Sequence, residues 1–163
     1  MGEYVHVVHG FEPVFDSESR LLILGSLPSV KPREEGFYYG NPRNRFWQVT
    51  AMVTKQSLPN DREQKIKLLK NAKIALWDVV AECDIIGSGD ASIKNVISTD
   101  LSLILSECKI EKIYANGSAA ARLYRRFQLE QTGIEITALP STSPANAAWS
   151  LERLCKAWQK IAW

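Results

Sequence analysis

The sequence predicts an α/β fold in which a mostly parallel sheet of four strands lies between helices. Four short, continuous apolar runs each end at Gly, Asn, Ser or Asp, a pattern typical of strands that are buried on both faces. These runs occupy residues 20–26, 72–80, 111–117 and 133–141. Helical patterns separate the runs, and alternating strands and helices indicate crossover units. We therefore expect a single-domain, three-layer α/β/α structure over residues 1–163.

The helices are predicted from apolar residues that recur at helical spacing. Four of them cover residues 45–55, 61–72, 98–108 and 117–127. The third is expected to start at Ser98 or Thr99 as its N-cap. The last helix has an apolar side formed by Ala147, Leu151, Leu154, Cys155, Trp158 and Ile161. We expect this helix to begin with Ser143 as N-cap and Pro144 at the first helical position.

The composition is that of an ordinary globular protein, with 45 % hydrophobic and 23 % charged residues. The net charge of +2 is too small to indicate nucleic-acid binding by itself. Three widely spaced cysteines, Cys83, Cys108 and Cys155, predict buried reduced thiols, no metal site and a cytoplasmic location. No apolar stretch approaches the ~20 residues that a membrane span needs, and no signal peptide is recognisable.

Ligands of such sheets bind outside the carboxyl ends of the strands. Three loops are predicted there: residues 25–44, 81–97 and 140–146. The first exceeds the usual ~2–6 residues of a βα connection, and this length favours a functional role.

The first loop offers backbone, hydroxyl and aromatic groups. Gly25 lets the backbone approach another group closely, and Ser26 supplies a hydroxyl. Phe37, Tyr38 and Tyr39 either present a flat face to a nucleobase or pack the loop onto the core. Stacking of a base on an aromatic ring contributes ~1–3 kcal/mol.

Two asparagines of this loop have alternative interpretations. Asn41 can cap a helix with Pro42 at its first position, or Asn44 can cap a helix that begins at Arg45. Alternatively, one carboxamide points into the cleft, where it can hold a water by its oxygen.

The last and middle loops are polar. The hydroxyls of Ser141, Thr142 and Ser143 are expected at the positive end of the last helix, where they either cap it or also bind a phosphate. In the middle loop, Asp90 and Asn95 either meet a ligand or hold the loop together.

Histidine-based and metal-based chemistry is poorly supported. No histidine lies in any of the three loops, and the sequence has neither a Gly-x-Ser-x-Gly elbow nor a carboxylate cluster for a metal. The chemistry is therefore expected to rely on amides, hydroxyls, aromatic rings and backbone groups.

Three motifs together resemble the uracil-DNA glycosylase superfamily. They are Gly-Ser-x-Pro-Ser at 25–29, Asn-Pro-x-Asn-Arg-Phe-Trp at 41–47 and Leu-Pro-Ser-x-Ser-Pro-Ala-Asn at 139–146. The chain is most similar to the hypoxanthine-DNA glycosylase branch, and the middle motif also resembles mismatch-specific uracil/thymine glycosylases. The resemblance extends over essentially the whole chain.

The resemblance implies a monomeric base-excision-repair enzyme that needs no cofactor and no metal. It would bind double-stranded DNA at the strand carboxyl ends and cleave the N-glycosidic bond of a flipped, deaminated base, here deoxyinosine, to leave an abasic site. A uracil- or mismatch-directed glycosylase is the alternative within the superfamily. A non-catalytic binder of damaged or single-stranded DNA is the alternative from another class.

The resemblance also suggests roles for individual residues. Mismatch-specific relatives carry an asparagine that orients water at the position of Leu27, and the resemblance implies that Asn41 takes that role here, with Ser26 as a second catalytic residue. Tyr39 matches the position where relatives stack an aromatic ring on the base. The expected base-binding residues are Tyr39, Phe37, Gly25 and Leu27. The expected DNA-binding residues are Ser141, Thr142, Ser143, Asn146 and Arg43.

Overall fold

The computed structural model describes residues 3–8, 11–27, 37–86 and 92–162. The segment 28–36 of the predicted first loop and Asp90 of the middle loop lie outside the described residues. The strands are β1 (Val5–Val8), β2 (Leu21–Gly25), β3 (Ile74–Asp78), β4 (Val80–Ile85), β5 (Lys94–Ser98), β6 (Lys112–Asn116) and β7 (Ile136–Leu139). The helices are α1 (Phe46–Val53), α2 (Arg62–Asn71), α3 (Ser102–Leu105), α4 (Ser118–Phe127), α5 (Leu129–Thr132) and α6 (Leu151–Ala157), the last continued by a 3₁₀ turn (Trp158–Ile161).

The central sheet has four parallel strands in the order β3-β2-β6-β7, so the predicted fold class is confirmed. All five residues of β2 and all five of β3 are buried. Continuous apolar runs suit these strands because both faces of a parallel sheet are covered by other elements.

The strand order places a crevice at the carboxyl edge between β2 and β6. The crossover from β2 to β3 contains α1 and α2 and leads across the strands to one lateral edge of the sheet. The crossover from β6 to β7 contains α4 and α5 and leads in the opposite direction, to the other lateral edge. Because both crossovers of this kind are right-handed, their helices cover opposite faces of the sheet. The loops that leave β2 and β6 therefore diverge, and such a switch point is where open α/β sheets bind ligands.

A second, antiparallel sheet in the order β1-β4-β5 corrects the prediction for residues 81–97. Instead of an irregular connection, this region contains a strand pair that is extended by the N-terminal strand. Asn95 has a φ of 54°, and its amide donates to Asp84 Oδ2 at 2.7 Å. The structure thus supports the alternative in which Asn95 holds this region together.

The predicted helix over residues 98–108 is mostly wrong. Ser98 belongs to β5, and the helical part is only Ser102–Leu105. Thr99 does not cap a helix, because its buried hydroxyl donates to the carbonyl of Asp78 at 2.8 Å. The N-cap position is Leu101, and the carboxylate of Asp100 before it accepts from the N–H of Ser102 at 3.0 Å.

The last helix begins at Leu151, eight residues after Ser143, which was its predicted N-cap. Its N-cap is Ser150, whose hydroxyl accepts from the N–H of Arg153 at 3.2 Å. Ser143 and Pro144 lie in an irregular segment before it, and Ala147 is outside the helix. Serine hydroxyls can bond to nearby backbone N–H groups in turns as well as in caps, and here the turn is formed.

Two further expectations concern cysteines and membranes. No disulfide joins the three cysteines, but only Cys83 is fully buried, whereas Cys108 and Cys155 are partly exposed. Within the described ranges, no helix combines the length and the apolar character that crossing a bilayer requires.

Candidate functional site

The carboxyl edge of the sheet brings together residues from four strands. Gly25 of β2 pairs with Asp78 of β3, and Asn116 of β6 pairs with Leu139 of β7. The first and last predicted loops leave from this edge, as the sequence indicated. Any chemistry at the crevice therefore uses groups that follow these strand ends.

Gly25 is required because other side chains of the protein occupy the space beside it. A Cβ at this position would lie 2.3 Å from Oδ1 of Asp78 and 3.0 Å from the hydroxyl of Tyr39. Asp78 is only 3 % exposed, and sequence reasoning did not identify it. The sequence feature that could have identified Asp78 is its position: it is a carboxylate at the end of an otherwise apolar strand, at the edge of the sheet where ligands bind.

Tyr39 lies at the centre of this edge in a left-handed backbone conformation, with φ of 52°. Its ring stacks on Phe46 with 4.2 Å between centroids and 23° between planes. A base that stacks on Tyr39 must therefore use the opposite face of the ring. The hydroxyl is buried and makes no hydrogen bond of regular geometry to the described residues, although the side chain of Asn116 lies close enough to interact with it. Burial raises the pKa of this hydroxyl, and the Asp78 charge raises it further, so Tyr39 remains neutral.

Phe37 and Tyr38 belong to the core, which corrects the expected base-binding role of Phe37. Phe37 is 6 % exposed and stacks on Trp47 with 6.1 Å between centroids. Tyr38 donates its hydroxyl to the carbonyl of Glu12 at 2.7 Å. Tyr39 is the member of this aromatic trio that stays at the edge of the site.

Asn41 does not cap a helix, so the first of the two capping interpretations is wrong. Its Oδ1 accepts from the N–H of Arg43 at 2.9 Å, and residues 41–43 form a turn that contains Pro42. A carboxamide oxygen has two lone pairs, so the second remains available for a water. Arg43 is exposed beside it.

Asn44 bonds to the start of α1 from one position before its N-cap residue, Arg45. Its Oδ1 accepts from the N–H of Phe46 at 3.0 Å and from the hydroxyl of Thr142 at 2.8 Å. Both lone pairs of this oxygen are therefore engaged, which makes Asn44 a poor candidate for holding a water. The helix begins at Phe46, one residue later than this interpretation assumed.

Thr142 is fully buried, so its side chain is part of the internal hydrogen bonding of the site, and its expected contact with DNA stays a prediction. Asn116 holds it at two points, because Asn116 Nδ2 donates to the Thr142 hydroxyl at 2.9 Å and Oδ1 accepts from its N–H at 3.0 Å. Thr142 then donates to Asn44. This chain of hydrogen bonds connects the end of β6, the last loop and the start of α1.

Ser141, Ser143 and Asn146 shape the last loop through local bonds. Ser141 Oγ accepts from the N–H of Ser143 at 3.1 Å, and Ser143 Oγ accepts from the N–H of Ala145 at 3.1 Å. Asn146 donates its amide to the carbonyl of Ser141 at 3.0 Å. These residues precede α6 by several positions, so the predicted helix start at Pro144 is wrong, whereas phosphate binding by Ser141 and Ser143 stays a prediction.

Ser26 and Leu27 continue from β2 toward the first loop. The carbonyls of Gly25 and Ser26 accept from the N–H groups of Val79 and Val80 at 2.8 and 3.0 Å. Leu27 is partly buried against the core. Among the residues that the structure describes, no group of three or more His, Cys, Asp and Glu side chains could hold a metal ion.

Comparisons of the sequence and the structure with known proteins show which proteins this chain is similar to. A model of the uracil DNA glycosylase superfamily matches residues 12–162. A protein of Methanosarcina acetivorans named hypoxanthine DNA glycosylase is 36 % identical over 95 % of this chain and 98 % of its own length. A protein of the same name from Methanosarcina barkeri is 32 % identical over 84 % of this chain and 87 % of its own. A solution NMR structure of a Methanosarcina acetivorans protein described as a uracil DNA glycosylase superposes with a TM-score of 0.79 and 32 % identity, covering 96 % and 99 % of the two chains.

Proposed function

Because the chain belongs to the uracil-DNA glycosylase superfamily, we propose that it hydrolyses the N-glycosidic bond of hypoxanthine in double-stranded DNA. The observation that carries this proposal is the similarity, over nearly the whole chain, to two proteins named hypoxanthine DNA glycosylase. The placement of Asn41 and Tyr39 at one edge of the sheet supports it. We further propose that the protein acts as a monomer in the cytoplasm.

Glycosidic cleavage needs two forms of assistance. The sugar acquires oxocarbenium character while the departing base gathers electrons, so hydrogen-bond donors near the base stabilise the transition state. A water must also be held against C1′. Since an oxocarbenium-like carbon is strongly electrophilic, a neutral carboxamide suffices to orient that water.

We assign the water to Asn41. Its oxygen retains an unused lone pair, whereas both lone pairs of the Asn44 oxygen are occupied. The base is extruded from the duplex at a cost of a few kcal/mol, which is smaller for a poorly paired base such as hypoxanthine. Ser26 and first-loop N–H groups receive the polar edge of the base. Tyr39 contacts its face.

Asp78 adds a second element of base recognition. Its carboxylate lies beside Gly25, close to the Tyr39 hydroxyl. Hypoxanthine carries a proton on N1, which a carboxylate can accept as a hydrogen bond. Adenine presents a lone pair at N1, which a carboxylate repels. Asp78 thus favours the deaminated purine over its parent base in this proposal.

The proposed function is tested with four duplexes that carry hypoxanthine, uracil, xanthine or a thymine mismatch, incubated with the protein without added metal. Alkaline cleavage of the labelled strand then reports each abasic site. We expect the fastest product formation from the hypoxanthine duplex. A preference for uracil would favour the alternative that the name of the solved relative suggests. Binding without any abasic product would instead identify a non-catalytic binder.

Two substitutions of Tyr39, to Phe and to Ala, distinguish the contribution of its ring from that of its hydroxyl. Tyr39→Phe is expected to retain activity within about threefold and to change the melting temperature little, because the buried hydroxyl that it removes makes no hydrogen bond of regular geometry and has Asn116 as its neighbour. Tyr39→Ala removes the ring and is expected to lose about tenfold or more, since stacking contributes ~1–3 kcal/mol per base. Single-turnover rates on the hypoxanthine duplex measure both. Equal losses would assign the function to the hydroxyl instead.

A further inference from the structure

Tyr39 has a backbone conformation that its side chain does not favour. Its φ of 52° lies in the left-handed region, which is uncommon for residues other than Gly, Asn, Asp and His. Residues 38 and 39 are turn positions, and a positive φ at the second central position of a turn is usually supplied by Gly or Asn. Tyr39 therefore needs contacts that hold this conformation against relaxation to a negative φ.

The direct route of relaxation is a flip of the peptide between Tyr38 and Tyr39. The peptide unit is planar, so the carbonyl of Tyr38 and the N–H of Tyr39 rotate together. A half-turn of this plane moves φ of Tyr39 into the negative region that L residues favour. The same half-turn points the carbonyl of Tyr38 in the opposite direction. A donor that binds this carbonyl therefore opposes the flip.

The indole of Trp47 binds the carbonyl of Tyr38. Its Nε1–H donates to the carbonyl oxygen at 3.0 Å, in a buried environment. The indole is itself held in place, because it stacks on Phe37 with 12° between planes and the ammonium of Lys65 lies 5.3 Å from its ring centroid. A flip of the peptide would leave the buried indole N–H without this acceptor, which is unfavourable.

The first two residues of α1 hold different parts of Tyr39. Phe46 stacks on its ring with 4.2 Å between centroids, whereas Trp47 binds the peptide that precedes it. Phe46 and Trp47 are both buried and contact each other edge to face, with 4.8 Å between centroids. The ring and the backbone of Tyr39 are thus fixed from the same end of one helix.

We propose that Trp47 is a positioning residue that keeps the ring of Tyr39 in the orientation in which it contacts the extruded base. The proposal rests on the proposed function, since the base is the substrate of that reaction. Trp47 does not touch the base and acts through the carbonyl of Tyr38. A ring that is already oriented needs no ordering when the base arrives. The rate of base release should therefore follow the fraction of protein in which Tyr39 keeps this conformation.

Trp47→Phe removes the N–H donor and keeps an aromatic ring against Phe37. We expect single-turnover release of hypoxanthine to slow by about fivefold or more, but not beyond the loss that Tyr39→Ala causes. Binding of a duplex with a tetrahydrofuran abasic analogue should stay within about twofold of the wild type, because this analogue has no base for the ring to contact and phosphate contacts dominate. Fluorescence anisotropy measures the binding.

Tyr124→Phe is the control for a loss of stability without a change in the site. It removes a buried hydroxyl that donates to the carbonyl of Ile134, which precedes β7 and so lies at the opposite edge of the sheet. We expect this variant to melt at a lower temperature than the wild type. Its rate of base release at a temperature where it is folded should equal that of the wild type.

A double-mutant cycle separates positioning from a general structural role. If Trp47 acts through Tyr39, then Trp47→Phe should change the rate of Tyr39→Ala by less than about twofold, because the ring that it positions is absent. A structural role alone would slow both backgrounds by the same factor. That result would overturn the proposal, and so would a Trp47→Phe protein as fast as the wild type.

A second variant decides the proposal if Trp47→Phe fails to fold. Replacement of Trp47 by β-(3-benzothienyl)alanine exchanges the indole N–H for sulfur and retains both rings, so the packing against Phe37 is preserved. We expect the same loss of rate from this variant, and again no further loss when it is combined with Tyr39→Ala.

The conformation of Tyr39 can also be measured without any reaction. The nuclear Overhauser effect between the N–H and Hα protons of one residue is strong when φ is positive, because the two protons are then close. We expect a strong effect for Tyr39 in the wild type and a weaker one in either Trp47 variant. An effect of wild-type strength in the variants would overturn the positioning role. If the wild type releases no base from any duplex, the proposed function is wrong, and this measurement alone decides whether Trp47 positions Tyr39.

Discussion

Asn41→Ala is expected to lower the single-turnover rate of hypoxanthine release by about 10²-fold or more, which is the range for removing a group that assists proton transfer or water attack. The fold should persist, because Asn41 lies in a turn, where its side chain makes one local bond to Arg43. Binding to deoxyinosine duplex should also persist, since the water and not the DNA loses its partner. Rates measured with enzyme in excess, together with the melting temperature, check this expectation.

Asn44→Ala is the matched control for Asn41→Ala. It removes an oxygen that accepts two hydrogen bonds, one of them from the start of α1. Loss of a side-chain acceptor at a helix start costs about 1 kcal/mol, so this variant should melt at a lower temperature while its folded fraction remains active. If Asn41→Ala kept wild-type rates and Asn44→Ala lost them at a temperature where it is folded, the two roles would have to be exchanged.

Gly25→Ala is expected to abolish measurable base release and to destabilise the protein by about 1–3 kcal/mol, the usual range for overpacking. The added methyl would lie 2.3 Å from Oδ1 of Asp78 and 3.0 Å from the hydroxyl of Tyr39. Both groups must therefore move, and both flank the proposed base. The midpoint of urea unfolding and the single-turnover rate together measure this effect.

Gly133→Ala provides the comparison for Gly25→Ala. Gly133 has a φ of 70°, and a Cβ there would meet nothing within 4 Å. The substitution should cost about 1–2 kcal/mol for the left-handed conformation alone and leave base release unchanged. A Gly25→Ala protein as active as Gly133→Ala would show that the space beside Gly25 is not part of the site.

β2 and β3 could be predicted because each is a continuous apolar run, and all of their residues are buried. β6 and β7 are less regular, and β7 buries only Ile136 and Leu139. The β4–β5 pair could not be predicted, since residues 80–98 mix apolar and polar side chains and their pairing is completed by β1, more than seventy positions away. Likewise, Ser143-Pro144 has the sequence of a helix start. Serine-to-backbone turns and the hydrogen bonds that the Arg45 guanidinium donates to the carbonyls of Ser143 and Asn146 are favoured there over the helix.

The sequence motifs located the candidate site, but the roles of its individual residues could be predicted only in part. Tyr39 lies beside Gly25 at the carboxyl edge of the sheet, whereas the catalytic role of Asn41 stays a prediction. The burial of Thr142 and Phe37 could not be predicted, because it depends on Asn116 and Trp47, which lie at other points of the chain. Asp78 was missed for the same reason: Gly25 and Tyr39 are separated from it in sequence and become its neighbours only in the fold.

The hydrogen bonds that join the first loop to the last loop have a consequence for biosynthesis. Asn44 and Thr142 are 98 positions apart, and Arg45 and Trp149 are 104 positions apart. Closing such long segments is entropically unfavourable until the intervening chain has folded. A nascent polypeptide on the ribosome thus carries its amide-bearing turn long before the partner segment has been translated. Repair competence would then appear abruptly, once residues 142–149 have been translated, and not grow with chain length.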